Sequence, residues 1–399
     1  MRDMIINNST WEGLLLRSER IRQNKGQKEI CIGLCVPSYL CKIEKGQALA
    51  PKELLVELFK RLNISYETDA EFLEKCDLEI NEFFQKFLYG LEYEQITESL
   101  FAVEKRLLYS SHRISYLLMK GLTGDSSVIP ALREISFGLN REQEAYYYLL
   151  EGIHSDSKEE RLSFYKKANE GMRHSCFMVF LASVYLENSD YTAIHNLESR
   201  LVTTALEEGN VYSIAEYYLL NGTAYGSLDL EEMMLVYYNR AIKMCENTGW
   251  KHIQNDAYYN IGSVYLCQNR FAEAKEYLDK VEKENFMLLH KKALLSLRSG
   301  RMVEGKNILE RMKPYLEAEE SHVAQILYEE ACMELEEDYI NNPEYELLLD
   351  RLIAVLKEHR HFGFLYSFKD VIIRTYVAQR KYKKALEFQN EISNRIIHK

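Results

Sequence analysis

The order of apolar and polar positions along this chain predicts helix after helix, with no convincing strand alternation. The segment up to Ser65 divides into four helices. Ser9 and Thr10 are placed to cap a helix running through Leu14, Leu15, Leu16, Arg20 and Ile21. Asn24, Lys25 and Gly26 end it, because Asn and Gly tolerate the left-handed backbone of a helix stop. Gln27 to Gly33 forms a short second helix. Pro37 to Lys45 forms a third, with Pro37 at its first turn and Gly46 as its stop. Pro51 opens a fourth, with Leu54, Leu55, Leu58, Phe59 and Leu62 on one face. The second and third segments are joined only through Leu34, Cys35 and Val36. Helices joined so tightly must cross steeply, the geometry in which a second helix can enter a DNA major groove.

The run from Gln27 to Gly46, QKEICIGLCVPSYLCKIEKG, resembles the Cro/C1-type (XRE) helix-turn-helix family, most specifically in its closing Ser38-Tyr39-Leu40-x-Lys42-Ile43-Glu44-x-Gly46. Gly33-Leu34-Cys35 in the turn is similar to the variant in peptide-pheromone receptors of the PlcR/Rgg type. The resemblance covers about residues 12–65 and implies roles position by position. Gln27 would contact phosphate. Pro37, Ser38 and Lys42 would face base edges, with Tyr39 and Lys45 nearer the DNA backbone. Arg20 and Glu44 would form an internal ion pair. Two departures weaken readout. Val36 stands where the family has a Ser or Thr cap, worth about 1 kcal/mol. Pro37 has no side-chain hydrogen bond to offer a base, which leaves Ser38 and Lys42 to read the sequence.

Beyond Ser65 the helical pattern repeats. Gly262, Tyr265 and Ala274 stand at offsets 0, 3 and 12, with Ile261 before them and Leu278 and Val281 after. These offsets resemble a tetratricopeptide repeat, in which small residues let two helices approach and large ones fill the groove between them. Gly222, Tyr225 and Ala241 form a weaker copy. Ala182 and Tyr185 keep the spacing of its first two residues one repeat earlier, and Ile373, Tyr376 and Ala385 keep the 0, 3, 12 spacing. Ala293, Gly300 and Gly305 lead to Leu309. The expected architecture is therefore all-α: a lambda-repressor-like helix-turn-helix domain over residues 1–65, then a tetratricopeptide-like α-solenoid over 66–399. In such a solenoid the first helix of each pair lines the inner wall. That implies Ser183, Thr223, Asp256, Tyr259, Asn260, Ser263, His290, Arg298 and Arg374 as candidate contacts for an extended peptide. Tyr185, Tyr225, Tyr265 and Tyr376, among 29 tyrosines, fall at packing positions instead.

Composition sharpens this picture. Hydrophobic residues make up 47% and charged residues 28%, with only 18 Gly and 5 Pro to break helices. No stretch approaches the length of a membrane span, and no signal peptide is read between Met1 and Trp11. The net charge of -11 hides a basic head, +4 over residues 1–65 against -15 for the remainder. Eight cysteines without a Cys-x-x-Cys pair indicate a reducing, cytoplasmic setting. Cys31, Cys35 and Cys41 have no zinc spacing and read as small core residues. No Gly-x-x-x-x-Gly-Lys phosphate loop, His-Glu-x-x-His or Gly-x-Ser-x-Gly is read from the pattern. His359 and His361 read as a surface loop beside Gly363. No metal, cofactor or enzymatic activity is expected.

The whole layout resembles the RRNPPA group of peptide-pheromone receptors. It implies a homodimeric transcriptional regulator that binds double-stranded DNA and is switched in quorum sensing by a short signalling peptide. A protein partner in place of the peptide, or an added effect on a phosphorelay protein, are the alternatives.

Overall fold

The computed structural model describes residues 10–136, 139–228, 230–318, 322–358, 365 and 367–397; among these no strand occurs. Ser9, the side chain of Thr10, His359 and His361 lie outside the described residues. The chain divides between Leu181 and Ala182 into two compact units.

The first unit opens with helices α1 Thr10–Arg22, α2 Gln27–Cys31, α3 Pro37–Glu44 and α4 Lys52–Arg61. Asn24 (φ 54°) ends α1 in the left-handed region, as Gly46 (φ 67°) does after α3. Gly33 (φ 74°) turns the chain between α2 and α3, so α2 stops two residues earlier than the sequence pattern suggested. Val36 is the N-cap of α3 and supplies no side-chain acceptor. Pro37 follows it, and its missing N–H removes one of the donors that a cap would have to satisfy. Leu15, Leu16, Leu40, Ile43, Leu58 and Phe59 are buried together with Cys31. Cys35 and Cys41 are half-buried.

The unit continues through α5 Ala70–Leu88, α6 Glu94–Ala102, α7 Glu104–Leu107, α8 Arg113–Leu122, α9 Ile129–Ile135, α10 Arg141–Ile153 and α11 Lys158–Gly171 to α12 Ser175–Glu187. Asp69, Asn140 and Ser157 cap α5, α10 and α11 by accepting from Phe72, Gln143 and Glu160 backbone N–H groups.

After α12 come α13 Tyr191–Glu208 and a series of helix pairs: α14 Val211–Ser227 with α15 Glu231–Met244, α16 Lys251–Cys267 with α17 Phe271–Leu278, and α18 Phe286–Arg298 with α19 Met302–Ala318. Two more follow, α20 His322–Met333 with α21 Pro343–Glu358, and α22 Lys369–Ala378 with α23 Tyr382–Ile397. In all but the α20–α21 pair, connections of about three residues leave the two helices no choice but to pack on each other.

The turns share one chemistry. Ser189, Asn269, Gly300 and Arg380 all take positive φ, at 57°, 59°, 79° and 60°. Each is followed by a backbone N–H that returns to the carbonyl five residues earlier: Asp190 to Tyr185 (2.8 Å), Arg270 to Tyr265 (2.9 Å), Arg301 to Ser296 (2.8 Å) and Lys381 to Tyr376 (2.7 Å). This is the Schellman helix stop, which satisfies carbonyls that would otherwise be orphaned. Leu230 returns to Tyr225 in the same way (3.0 Å). Tyr185, Tyr225, Tyr265 and Tyr376 thus sit in the last turns of α12, α14, α16 and α22, whereas Ser296 takes that place in α18.

Close approach within pairs falls at the small residues. A Cβ on Gly262 would lie 2.7 Å from Leu278 Cγ, and one on Gly222 would lie 2.5 Å from Tyr238 Cδ1. Gly300 to Lys306 has the spacing of a phosphate loop, which pattern reading passed over. It follows a helix rather than a strand, Asn307 replaces the Ser or Thr, and a Cβ on Gly305 would lie 2.5 Å from Leu297 Cδ2. This segment is the α18–α19 hairpin.

Candidate ligand cavity and candidate nucleic-acid surface

First helices of successive pairs pack on one another, α14 on α16, α16 on α18 and α18 on α20. Thr223 on α14 and Ser263 on α16 occupy the same place in successive repeats. Both hydroxyls donate to the carbonyl one turn back, Thr223 to Leu219 (3.0 Å) and Ser263 to Tyr259 (2.8 Å). That leaves their lone pairs as acceptors. They border a cavity of about 500 Å³, together with Tyr259, Asn260, Lys291 and Asp370.

Asn260 Nδ2 lies 3.5 Å from Thr223 Oγ1, which also meets the Tyr238 hydroxyl at 3.0 Å. Tyr259 lines the cavity, and its hydroxyl is buried close to Ser263. Burial pushes the Tyr259 phenol well above its usual range, so it stays protonated. Lys291 is buried, with Nζ 5.2 Å from the Phe368 ring centroid, and desolvation holds its ammonium below the usual lysine range. The floor closes where Cys267 Sγ approaches the Ser367 carbonyl at 3.1 Å.

The structure brings Thr223, Tyr259, Asn260 and Ser263 to this one cavity. Arg298 and Arg374 border a smaller hollow that shares Cys267, Ser367 and Asp370 with it. Asp256 lies one turn before Asn260 on α16 and is exposed, and Ser183 does not line the cavity. His290 corrects the wall expectation. It is fully buried, with Nε2 3.2 Å from Glu330 Oε2 on α20, so it faces the neighbouring helix instead of a ligand. Burial, with Lys291 and Arg298 nearby, keeps its imidazole neutral. Arg298 is drawn into the same network, with Nη2 2.5 Å from Glu334 Oε1 and 3.5 Å from Glu330 Oε1. Desolvation raises the Glu334 carboxyl to about 7 despite that partner. Pattern reading missed Tyr238, Lys291 and Asp370; the repeat spacing of Tyr238 marks it only as a packing residue.

In the first unit, Arg20 and Glu44 lie together. Arg20 Nε donates to Glu44 Oε1 (2.6 Å) and Nη2 to Oε2 (2.9 Å). Gln27 Nε2 donates to the same Oε2 at 2.7 Å, so its amide is tied to the ion pair. Tyr39 donates to the Leu49 carbonyl (2.8 Å). Ser38 and Lys42 are exposed one turn apart on α3, Pro37 is half-buried beside them, and Lys45 is exposed just past the helix end. Among the described residues no helix is long and apolar enough to cross a membrane, and no group of His, Cys, Asp or Glu is placed to hold a metal ion.

The architecture is that of an all-α protein with repeat-like pairing of helices. Its fold is similar to that of a Rap protein crystallised in complex with competence and sporulation factor. The TM-score is 0.62 at 14% sequence identity, over 81% of this chain and 97% of the Rap chain. Comparison with protein-family models and with curated protein sequences gives no match.

Proposed function

We propose that this chain is a DNA-binding transcriptional regulator whose second unit binds a short, extended signalling peptide. The observation that carries the ligand half is the cavity walled by α14 and α16. Its volume of about 500 Å³ suits a small ligand or part of a peptide. Its hydroxyl, amide, ammonium and carboxylate groups suit a backbone that presents one donor and one acceptor per residue. The fold shared with a protein that was crystallised with competence and sporulation factor supports the same reading. The polar groups stand among a larger apolar lining that includes Tyr259 and Val264, so the cavity can also take apolar side chains of a short peptide.

The DNA half rests on the exposed Ser38 and Lys42 of α3, the exposed Lys45, and the basic excess of residues 1–65. In this reading the protein acts in the cytoplasm as a homodimer on a roughly palindromic site, and it acts by binding, without catalysis.

The test is calorimetry of the full chain with synthetic peptides of about five to ten residues, beside selection of bound sites from random duplex DNA. Saturable peptide binding that Tyr259→Ala or Asn260→Ala weakens at least tenfold, with enrichment of a two-fold symmetric site, is the expected result. Binding unaffected by both substitutions removes the cavity from the reading, and absence of enrichment removes the DNA half.

A further inference from the structure

A second cavity, of about 530 Å³, lies within the first unit, between α1 and α9. On one side Leu14, Arg17 and Ile21 follow at one-turn spacing on α1, and on the other Ala131, Glu134 and Ile135 share a face of α9. Leu15 and Ile135 are buried at its base, at 4% and 7% exposure. Ser18, Gln47 and two further cations also line it. Lys45 enters from the end of α3 and Arg113 from the start of α8.

The charge balance is one-sided. Arg17, Lys45 and Arg113 face a single carboxylate, Glu134. Among the described residues, none of the four forms an ion pair. Arg113 is the most telling, because a guanidinium carries five N–H donors. The described structure gives it one hydrogen bond, from Nη1 to the Leu108 carbonyl (2.8 Å). Desolvation pushes it below the usual arginine range, opposed by its electrostatic interactions with Tyr109, Glu19 and Glu134. Glu19 is committed elsewhere, accepting from Arg22 Nη2 at 2.6 Å. A half-buried cation with spare donors, beside an apolar floor, is complementary to a molecule with an anionic head and an apolar body.

We infer that this cleft binds a small amphipathic carboxylate, its head held by Arg113, Arg17 and Lys45 and its body against Leu14, Leu15, Ile21 and Ile135. The inference stands apart from DNA binding. Lys45 is assigned a phosphate contact there, but the cleft is tested with no DNA present.

The probe is decanoate, titrated calorimetrically into the full chain, with inorganic phosphate in a parallel arm. Decanoate should bind saturably at one site per chain, and phosphate at equal concentration at least tenfold more weakly, because it lacks an apolar body. Three variants separate the parts of the site. Ala131→Trp fills the cleft, Arg113→Met removes the half-buried cation, and Arg17→Glu reverses a charge on the exposed rim. Each should weaken decanoate at least tenfold. Circular dichroism checks that each variant is folded, and the exposed Arg17 position tolerates substitution if the inner two do not. Absence of saturable decanoate binding overturns the inference. Affinity within twofold of wild type in folded Arg17→Glu together with either inner variant does the same. Equal affinity for phosphate and decanoate overturns the amphipathic assignment.

Discussion

Gly262→Ala tests the packing that places the candidate ligand wall. The added Cβ would lie 2.7 Å from Leu278 Cγ, 2.9 Å from Cδ2 and 3.2 Å from the Leu278 backbone nitrogen. Leu278 is fully buried and cannot swing into solvent, and a backbone atom moves only if α17 moves. Overpacking of this kind costs about 1–3 kcal/mol. Replacing a mid-helix glycine by alanine returns about 1 kcal/mol through helix propensity. The net expectation is a loss of about 1 kcal/mol. An exposed helical glycine would instead show a gain of similar size. A double-mutant cycle sharpens the test. Leu278→Ala alone should cost about 2–5 kcal/mol for a buried leucine. With Gly262→Ala the new methyl occupies part of that void, so the double variant should lose at least about 1 kcal/mol less than the sum. Hydrogen exchange of the α16 and α17 amides reads the local opening free energy even if the two compact units unfold separately. Tyr259, Asn260 and Ser263 sit within one turn of Gly262, so the same variant should also weaken peptide binding. A stabilised Gly262→Ala variant that adds to Leu278→Ala without coupling would refute the reasoning.

Glu44→Ala removes the acceptor for Arg20 and Gln27 at a site only 2% exposed, and leaves a mostly buried guanidinium unpaired. It should destabilise by about 3 kcal/mol in chemical denaturation, and a loss under about 1 kcal/mol would mean that water replaces the carboxylate. Lys42→Ala should cost about 1–3 kcal/mol on the selected DNA site and little on scrambled DNA, whereas Lys45→Ala should weaken both alike and lower the salt dependence by about one ion. Equal losses for Lys42→Ala on both DNAs would remove it from base readout. Burial lowers the His174 imidazole from 6.5 to about 4, so the unfolded chain binds its proton more readily than the folded one. Its contribution, about 3 kcal/mol at most, is present above pH 6.5 and is lost as pH falls towards 4. His174→Gln should flatten denaturation midpoints across that window, and an unchanged slope would assign the pH dependence to other groups.

The helices were legible in the sequence where breakers are local. Asn24, Gly46 and Pro51 punctuate the chain up to Ser65 because a single residue's backbone preference decides each stop or start. The tyrosines at 185, 225, 265 and 376 were legible for a related reason. Each marks the last turn of its helix, and the Schellman stop that follows depends on residues close by in sequence. Gly33 shows the limit. Its left-handed φ cuts α2 short, and a periodic pattern of apolar residues does not register where the backbone changes hand.

The cavity was legible only in its periodic half. Thr223 and Ser263 share a repeat position, so the spacing that found one found the other. Their opposite wall is another matter, since Ser367 meets Cys267 across 100 residues of sequence and no local pattern carries that register. His290 failed for the converse reason. Helical period alone puts it on a first helix, where the wall should be, but Glu330 stands one repeat later on the next first helix and takes up its Nε2. A basic residue and an acidic residue one repeat apart on neighbouring helices can satisfy each other and need no ligand. Arg298 and Glu334 obey the same logic. A polar residue on the stacked helices therefore becomes a candidate contact only when no opposite charge stands near one repeat away. Tyr259, Asn260 and Ser263 pass that condition, and all three line the cavity.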